Sequence, residues 1–278
     1  MPSEREGLLI TSTANPTLKR IRALASGHPD RGGSAFFCEG FQSVGRALTA
    51  GADIEALVVA PDLLATPQAE SLVAEAESRG TRIVRVSAEL FGRLSERDGP
   101  SGLAAVVRPT ERRVADLEIA PDAVFVVLHE IANPGNLGSI LRTADAAGVA
   151  AVILTGVTAH PFSPVTAKSS MGSIFNVPIA RERDIRAVVD WARGSGVHVT
   201  TTSAHAGSSY AETRFPRPLA LVFGNEGSGL RDDVLALGDD RVVIPMVGSA
   251  SSLNLSVAVG ILLFEVQREV LTSRLGRP

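Results

Sequence analysis

Apolar positions along the chain follow two regimes. Up to about residue 107, short apolar runs alternate with segments whose apolar residues recur at helical spacing. Ala14–Ala25 (ANPTLKRIRALA) places Leu18, Ile21 and Leu24 on one face of a short helix, with Lys19, Arg20 and Arg22 off that face. A Gly/Pro/Asp loop at Gly27–Gly33 leads to an apolar burst, AFFCEG, and then to a helix over Phe41–Ala50 closed by Gly51. Ile54–Ala60 reads as a strand, Pro67–Ser78 as a helix ended by Gly80, and Arg82–Val86 as a strand. A helix near Ala88–Leu94 and a strand at Gly102–Val107 complete a small α/β domain at 1–108.

The charged, proline-punctuated stretch 109–121 reads as a linker to a second domain at 122–278. There the apolar runs lengthen. Ala123–Leu128, Ala150–Leu154, Val197–Thr201, Leu219–Phe223 and Arg241–Ile244 read as buried strands separated by segments of helical length. Such continuous apolar strands predict an α/β fold with a mostly parallel sheet covered on both faces. Leu253–Leu271, apolar at helical spacing, reads as the C-terminal helix.

Composition narrows the function classes. The 278 residues are 45% hydrophobic and 21% charged, ordinary for a globular chain with a full core. A net charge of −3 excludes the strongly basic mode of nucleic-acid binding but permits a local basic groove. Nearly all the basic residues are arginines, Lys19 and Lys168 being the exceptions. The single cysteine, Cys38, cannot form an internal disulfide, and no Cys/His cluster has zinc spacing, so no metal is expected. Glu4 and Glu6 stand where a signal peptide would be basic, and Leu255–Phe264 is too short to span a bilayer. A reducing, cytoplasmic setting is expected.

Three loops carry candidate chemistry. Ala132–Gly138 (ANPGNLG) joins a strand to a helix through Arg142 to Ala147, a turn whose free N–H groups suit anions or polar ligands. It also reads as a plain tight turn with Asn136 as a helix cap. Arg142 stands among small and apolar neighbours, where a buried arginine would need a partner. In Leu221–Leu230 (LVFGNEGSGL) an apolar strand runs into a glycine-rich turn with one acid, Glu226, placed to pair with Arg142 or meet a ligand. In Ile244–Ser256 (IPMVGSASSLNLS) a strand gives way to small hydroxyl residues, of which Ser252, or the amide Asn254, could cap the following helix. Three such loops at strand ends would converge on one crevice of a ligand-binding α/β domain. None fits the phosphate-cradling GxxxxGK[ST] or GxGxxG patterns.

Together, NPGNLGSILRTADAAG, LVFGNEGSGL and IPMVGSASSLNLSV resemble the three ordered motifs of the SpoU, or TrmH-type, RNA ribose 2′-O-methyltransferase family, across about residues 123–268. NPTLKRIRAL, FCEGFQSVGRAL and GLAAVV resemble the small RNA-binding domain that many members carry. The resemblance implies a deep trefoil knot in the C-terminal domain, an exception to the rule that chains do not thread loops. It also implies that the knot forms an S-adenosylmethionine pocket and that two C-terminal domains pair as a homodimer. Carried over by position, Gly224, Ile244 and Leu253 would contact the cofactor, mainly through backbone, joined by Thr201, with Met246 and Ser252 nearby. Asn136 and Arg142 fall on the polar and catalytic positions of the first motif. Glu226 falls on the acidic position of the second, and Ser252 and Asn254 on the hydroxyl and amide positions of the third.

The implied reaction is displacement of the sulfonium methyl by a ribose 2′-hydroxyl, without a metal. A guanidinium is a poor proton acceptor, which disfavours Arg142 as a base. Contact with the adjacent phosphate and stabilisation of the developing alkoxide is the expected role. RNA contacts are expected from Lys19, Arg20 and Arg22, and from arginines at the dimer cleft. By resemblance, Ser163–Phe175, with Lys168 and Ser169, would line the substrate side of the pocket. Ten Phe, one Trp and one Tyr do not support a broad base-stacking platform. The separate N-terminal domain favours ribosomal RNA, with antibiotic self-protection as one form of that role. Transfer RNA methylation and non-catalytic RNA binding on the same fold are the alternatives. A nicotinamide-dependent oxidoreductase would need the missing GxGxxG. The histidines are scattered, and even His129 and His205, near strand ends, read as structural; Trp191 and Tyr210 read as packing.

Overall fold

A computed structural model describes residues 9–28, 35–64, 66–95, 99–205, 207–268, 270 and 272. The chain divides into two compact units, 1–109 with 162–176, and 110–161 with 177–278.

In the first unit α1 (Pro16–Ala25), β1 (Phe36–Glu39), α2 (Phe41–Thr49), β2 (Ile54–Val59), α3 (Pro67–Ser78), β3 (Arg82–Arg85), α4 (Ala88–Gly92) and β4 (Leu103–Val107) follow the predicted alternation. The sheet order is β1-β4-β2-β3, with β2 and β3 parallel and the other pairs antiparallel. Asn15 starts α1 by accepting from the Thr17 and Leu18 amides. Leu18, Ile21 and Leu24 are buried against the sheet, while Lys19 and Arg22 are exposed. Arg20 differs from its expected place on a solvated basic face. Both of its terminal nitrogens grip the carboxylate of Glu55 on β2, one at 3.0 Å, so its charge is engaged within the fold. Glu4, Glu6 and loop residues 29–33 lie outside the described residues.

The remaining elements are β5 (Val124–His129), α5 (Pro134–Ala147), β6 (Ala151–Thr155), α6 (Pro164–Ser170), β7 (Ile179–Glu182), α7 (Ile185–Gly194), β8 (His198–Thr202), β9 (Ser208–Ser209), β10 (Leu219–Phe223), α8 (Asp232–Leu235), β11 (Asp240–Val243) and α9 (Leu255–Val266). Although α6 lies between β6 and β7 in sequence, residues 162–176 group with the first unit. The Phe162 and Phe175 rings pack on Phe36 of β1, with centroids 5.1 and 5.9 Å away.

The second sheet runs β7-β6-β5-β10-β8-β11-β9, and all its pairs are parallel. Every residue of β5, β6 and β10 is buried, as strands covered on both faces require. One face packs under α7, where Trp191 meets Phe125 edge-on at 5.3 Å. The other carries α5 and α9, which pack on each other. Arg217 donates to the carbonyls of Asp122 and Val266 and to Gln267 Oε1, and Gln267 donates to the Ala147 carbonyl. These bonds fix the end of α9 beside the end of α5.

Two strands of the second sheet were not predicted. β7 is apolar only at its start, and the two residues of β9 are serines, so neither carries a periodic signal. Residues 110–121 are more than a spacer: the Arg112 amide donates to Ile179, and Val114 and Leu117 enter the second core. The C-terminal helix begins at Leu255 after its cap, and Leu271 lies outside the described residues. Among the described residues no helix is long and apolar enough to cross a membrane.

Candidate functional site

β5 and β10 are neighbours although β6 to β9 separate them in sequence. Successive connections diverge there, and such a switch point opens a crevice at the carboxyl ends of the strands. The three loops singled out above leave those ends.

Their side chains form one hydrogen-bonded junction. Glu226 Oε1 accepts from the Asn133 amide at 3.2 Å and from Asn136 Nδ2 at 3.1 Å, while Oε2 accepts from the Ala132 amide at 3.2 Å. Asn136 Oδ1 in turn accepts from Asn254 Nδ2 at 3.1 Å. Asn254 also caps α9, accepting from the Ser256 amide and hydroxyl. Partial burial pushes the Glu226 carboxyl up, but bonds from its own amide, from Asn136 and from the Ala132 and Asn133 amides outweigh it. The net direction is below the ordinary carboxylate range, and Glu226 is ionised at neutral pH.

Asn225 supports this junction from behind. Its Nδ2 donates to the Glu130 carbonyl at 2.8 Å and its Oδ1 accepts from the Gly227 amide at 2.8 Å. Glu130 has φ of 57°, an uncommon backbone state for a residue with a side chain. At Gly224 the turn doubles back so closely that a Cβ would lie 2.3 Å from the Gly229 carbonyl carbon. Only glycine fits there.

A cavity of about 430 Å³ lies between the second and third loops, within the range of small-molecule sites. Gly224, Ile244, Met246, Ser252 and Leu253 line it, as do Phe223, Asp232, Leu255, Ala258 and Leu262. A more open recess joins it on the side of Asn133, Asn136, Glu226, Ser252 and Asn254. The structure thus brings together nearly all the expected cofactor residues, and places Asn136, Glu226 and Asn254 beside them.

Four expectations need correction. Thr201 does not line the cavity: it is buried, and its hydroxyl donates to the carbonyls of Leu235 and Asp240. Side chains alternate along a strand, so the next residue, Thr202, reaches the cavity. Arg142 is exposed rather than buried, because it falls on the α5 face away from Leu137, Ile140, Leu141 and Ala144. Glu226 consequently pairs with Asn136 and two amides, not with Arg142. Asn133, rather than Asn136, caps α5.

Lys168 is exposed on α6 and Ser169 donates to the Val165 carbonyl, both within the first unit. His205 lines the cavity, whereas His129 is buried with Nδ1 2.9 Å from the Thr155 hydroxyl. Asn225, Thr202 and Asp232 were not singled out from sequence. Asn225 stood beside Glu226 in a quoted motif, and strand alternation pointed from Thr201 to Thr202. Nothing in the pattern marked Asp232. Among the described residues no group of three His, Cys, Asp or Glu side chains could hold a metal ion.

Comparison with known proteins follows the same two-part division. The model of the SpoU rRNA Methylase family matches residues 123–264, and that of an MRM3-like substrate binding domain matches residues 15–105. The chain is 34% identical over 188 residues to the 23S rRNA (guanosine(2553)-2′-O)-methyltransferase RlmP of Bacillus subtilis, covering 68% of this chain and 73% of that protein. An AdoMet-bound rRNA methyltransferase from Sinorhizobium meliloti superposes with a TM-score of 0.85 at 36% identity, over 95% of this chain and 98% of that one. The AdoMet complex of the SpoU methyltransferase AviRb from Streptomyces viridochromogenes gives 0.82 at 28% identity, over 93% and 99%. The expected fold class, a small α/β unit ahead of a mostly parallel sheet of the trefoil-knot methyltransferase kind, is the one found.

Proposed function

Because the chain belongs to the SpoU rRNA methylase family, we propose that it transfers a methyl group from S-adenosylmethionine to a ribose 2′-hydroxyl of ribosomal RNA. The observation that carries this reading is the Glu226–Asn136–Asn254 junction, which ties three loops together beside a cavity of cofactor size. Similarity to a 23S rRNA 2′-O-methyltransferase supports ribosomal RNA over transfer RNA.

The cavity residues suit the cofactor. Phe223, Leu255, Ala258 and Leu262 supply an apolar wall for a heteroaromatic base. Peptide groups at Gly224, Ile244 and Leu253 would meet its polar edges, and the Asp232 carboxylate would suit an ammonium group. Bound there, S-adenosylmethionine supplies a methyl group already activated on sulfonium, so methylation forms one O–C bond, breaks one C–S bond and releases the hydroxyl proton.

The protein's own work is alignment and charge placement. Glu226 holds the Asn136 amide and the start of α5 in place, and Asn136 orients Asn254. Ser252 lines both the cavity and the recess, where its hydroxyl would meet the reacting groups. The Arg142 guanidinium would contact the phosphate beside the reacting ribose and stabilise alkoxide character. Lys19 and Arg22 of α1, with Lys168 and Ser169 of α6, would hold the RNA. The N-terminal unit is the substrate-binding domain and the C-terminal unit the methyltransferase domain.

The α9 helix is apolar but for Ser256 and Glu265, yet Val257 is 50% and Phe264 47% exposed, with Ile261 half-buried between them. These positions share one stripe at helical spacing. A second copy would cover it, pairing the C-terminal units as a homodimer. The setting is cytoplasmic.

The test is methyl transfer from labelled S-adenosylmethionine to unmodified 23S rRNA and, separately, transfer RNA, with nucleoside analysis of each. A 2′-O-methyl nucleoside in the ribosomal pool is expected. Label confined to transfer RNA overturns the substrate assignment, and a base-methylated nucleoside overturns the reaction.

A further inference from the structure

The segment 162–176 leaves β6 and returns to β7, yet it is built into the first unit. Ser163 caps α6 by accepting from the Thr166 amide at 3.2 Å. On the buried side of the helix Thr166, Ala167 and Ser170 are almost fully enclosed, which leaves Lys168 outward. The helix then stops abruptly. Met171 has φ of 51° and Gly172 φ of 88°, so two successive left-handed residues turn the chain back under α2.

At that turn Ser173 is 1% exposed, and its hydroxyl accepts from Arg46 Nη1 of α2 at 2.8 Å. The Arg46 stem lies over Gly172, where a Cβ would come 2.8 Å from Arg46 Cδ and 3.1 Å from Ser43 Cα. Beyond it, Phe175 packs on Phe36, as Phe162 does at the segment's start. Aromatic contacts anchor both ends, and the hydrogen bond to Ser173 fixes the turn that sets the register of α6 between them.

We infer that Ser173, held by Arg46, is a positioning residue for RNA binding: it fixes the end of α6 so that Lys168 meets a phosphate. The inference rests on the reading that Lys168 contacts RNA. It does not require either Ser173 or Arg46 to touch the nucleic acid.

Ser173→Ala gives a test that Arg46→Ala alone cannot, because it removes no charge from a side chain hidden from solvent. The full chain is titrated with unmodified 23S rRNA transcript over a salt series, using the unaltered protein, Ser173→Ala, Lys168→Ala and the double variant. Lys168→Ala should weaken binding and lower the slope of log K against log salt by about one. Ser173→Ala should weaken binding about three- to tenfold and lower that slope toward the Lys168→Ala value, with S-adenosylmethionine affinity unchanged. The double variant should bind within about twofold of Lys168→Ala, since residues acting through one contact are not additive.

An unchanged slope in Ser173→Ala, or additive losses in the double variant, overturns the positioning role. An unchanged affinity and slope in Lys168→Ala instead overturns the reading beneath it. Melting curves separate local misplacement from unfolding, and Arg46→Ala, which keeps the Ser173 hydroxyl, should reproduce the non-additive pattern with Lys168→Ala.

Discussion

Asn136 gives a hydrogen bond to Glu226 and receives one from Asn254, each at 3.1 Å, so a single side chain joins the turns after β5, β10 and β11. The direction of both bonds is set by Glu226. An ionised carboxylate only accepts, which turns the Asn136 NH₂ toward it and leaves the Asn136 oxygen for Asn254.

Glu226→Gln should therefore damage more than one bond. Both carboxylate oxygens accept from peptide amides, and the glutamine NH₂ would face one of those donors. Loss of stability of about 1–3 kcal/mol is expected in denaturant melts, as for a partly buried donor left unpaired. Methyl transfer should fall at least about tenfold because Asn136 and Asn254 lose their orientation. Normal turnover would show that the junction has no part in the reaction.

The same carboxylate predicts a pH signature. Its folded value lies below its ordinary value of 4.5, so its contribution to stability is complete above 4.5 and disappears as pH falls through the folded value. The stability gap between the unaltered protein and Glu226→Gln should be flat from neutral pH down to about 5 and shrink in more acid solution. A gap that widened on acidification would contradict the depressed value.

The exposed stripe on α9 gives a test of assembly. Phe264→Arg or Val257→Arg would place a charge where an apolar side chain stands about half exposed, at little cost to a monomer. Sedimentation should show the unaltered chain as a dimer and either variant shifted to monomer, with melting changed little. Monomeric behaviour of the unaltered chain at micromolar concentration would remove the dimer from the proposed function.

Most of the fold was legible because its signals are local. The Leu18, Ile21 and Leu24 spacing marks α1, and the unbroken apolar runs mark β5 and β10. What sequence left open are relations between distant positions. Asn136 and Glu226 are 90 residues apart, and Asn254 and Asn136 are 118 apart. Composition around Arg142 suggested burial because small residues such as Ser139 and Ala146 also fit an exposed helix face. At Thr201, a shift of one residue decided which of two neighbouring threonines lined the cavity, since strand faces alternate.

Cys38 should be chemically silent in the folded chain. Burial pushes its thiol up to about 12, against an opposing hydrogen bond with the Ala105 backbone. At pH 7.5 the reactive thiolate is then fewer than about one molecule in ten thousand. A disulfide-exchange reagent should label Cys38 only as denaturant unfolds the first unit, in step with the loss of helix signal. Rapid labelling of the native protein would contradict the burial of β1.

Arg20 and Arg22 should separate stability from RNA binding, though they share one short helix. Arg20 is bound through both nitrogens to Glu55, with the two side chains 36% and 21% exposed. Arg22 is exposed on α1 and faces solvent beside Lys19. Arg20→Ala should lower stability by about 1 kcal/mol, a value kept small by solvent screening of a partly exposed pair. Affinity for 23S rRNA should change little once the protein is folded. Arg22→Ala should leave melting within about 0.5 kcal/mol of the unaltered chain. It should also reduce the salt dependence of RNA binding by about one phosphate contact. Equal effects of the two substitutions on the salt slope would mean that Arg20 releases Glu55 to meet the RNA, and the basic face of α1 would then include all three cations.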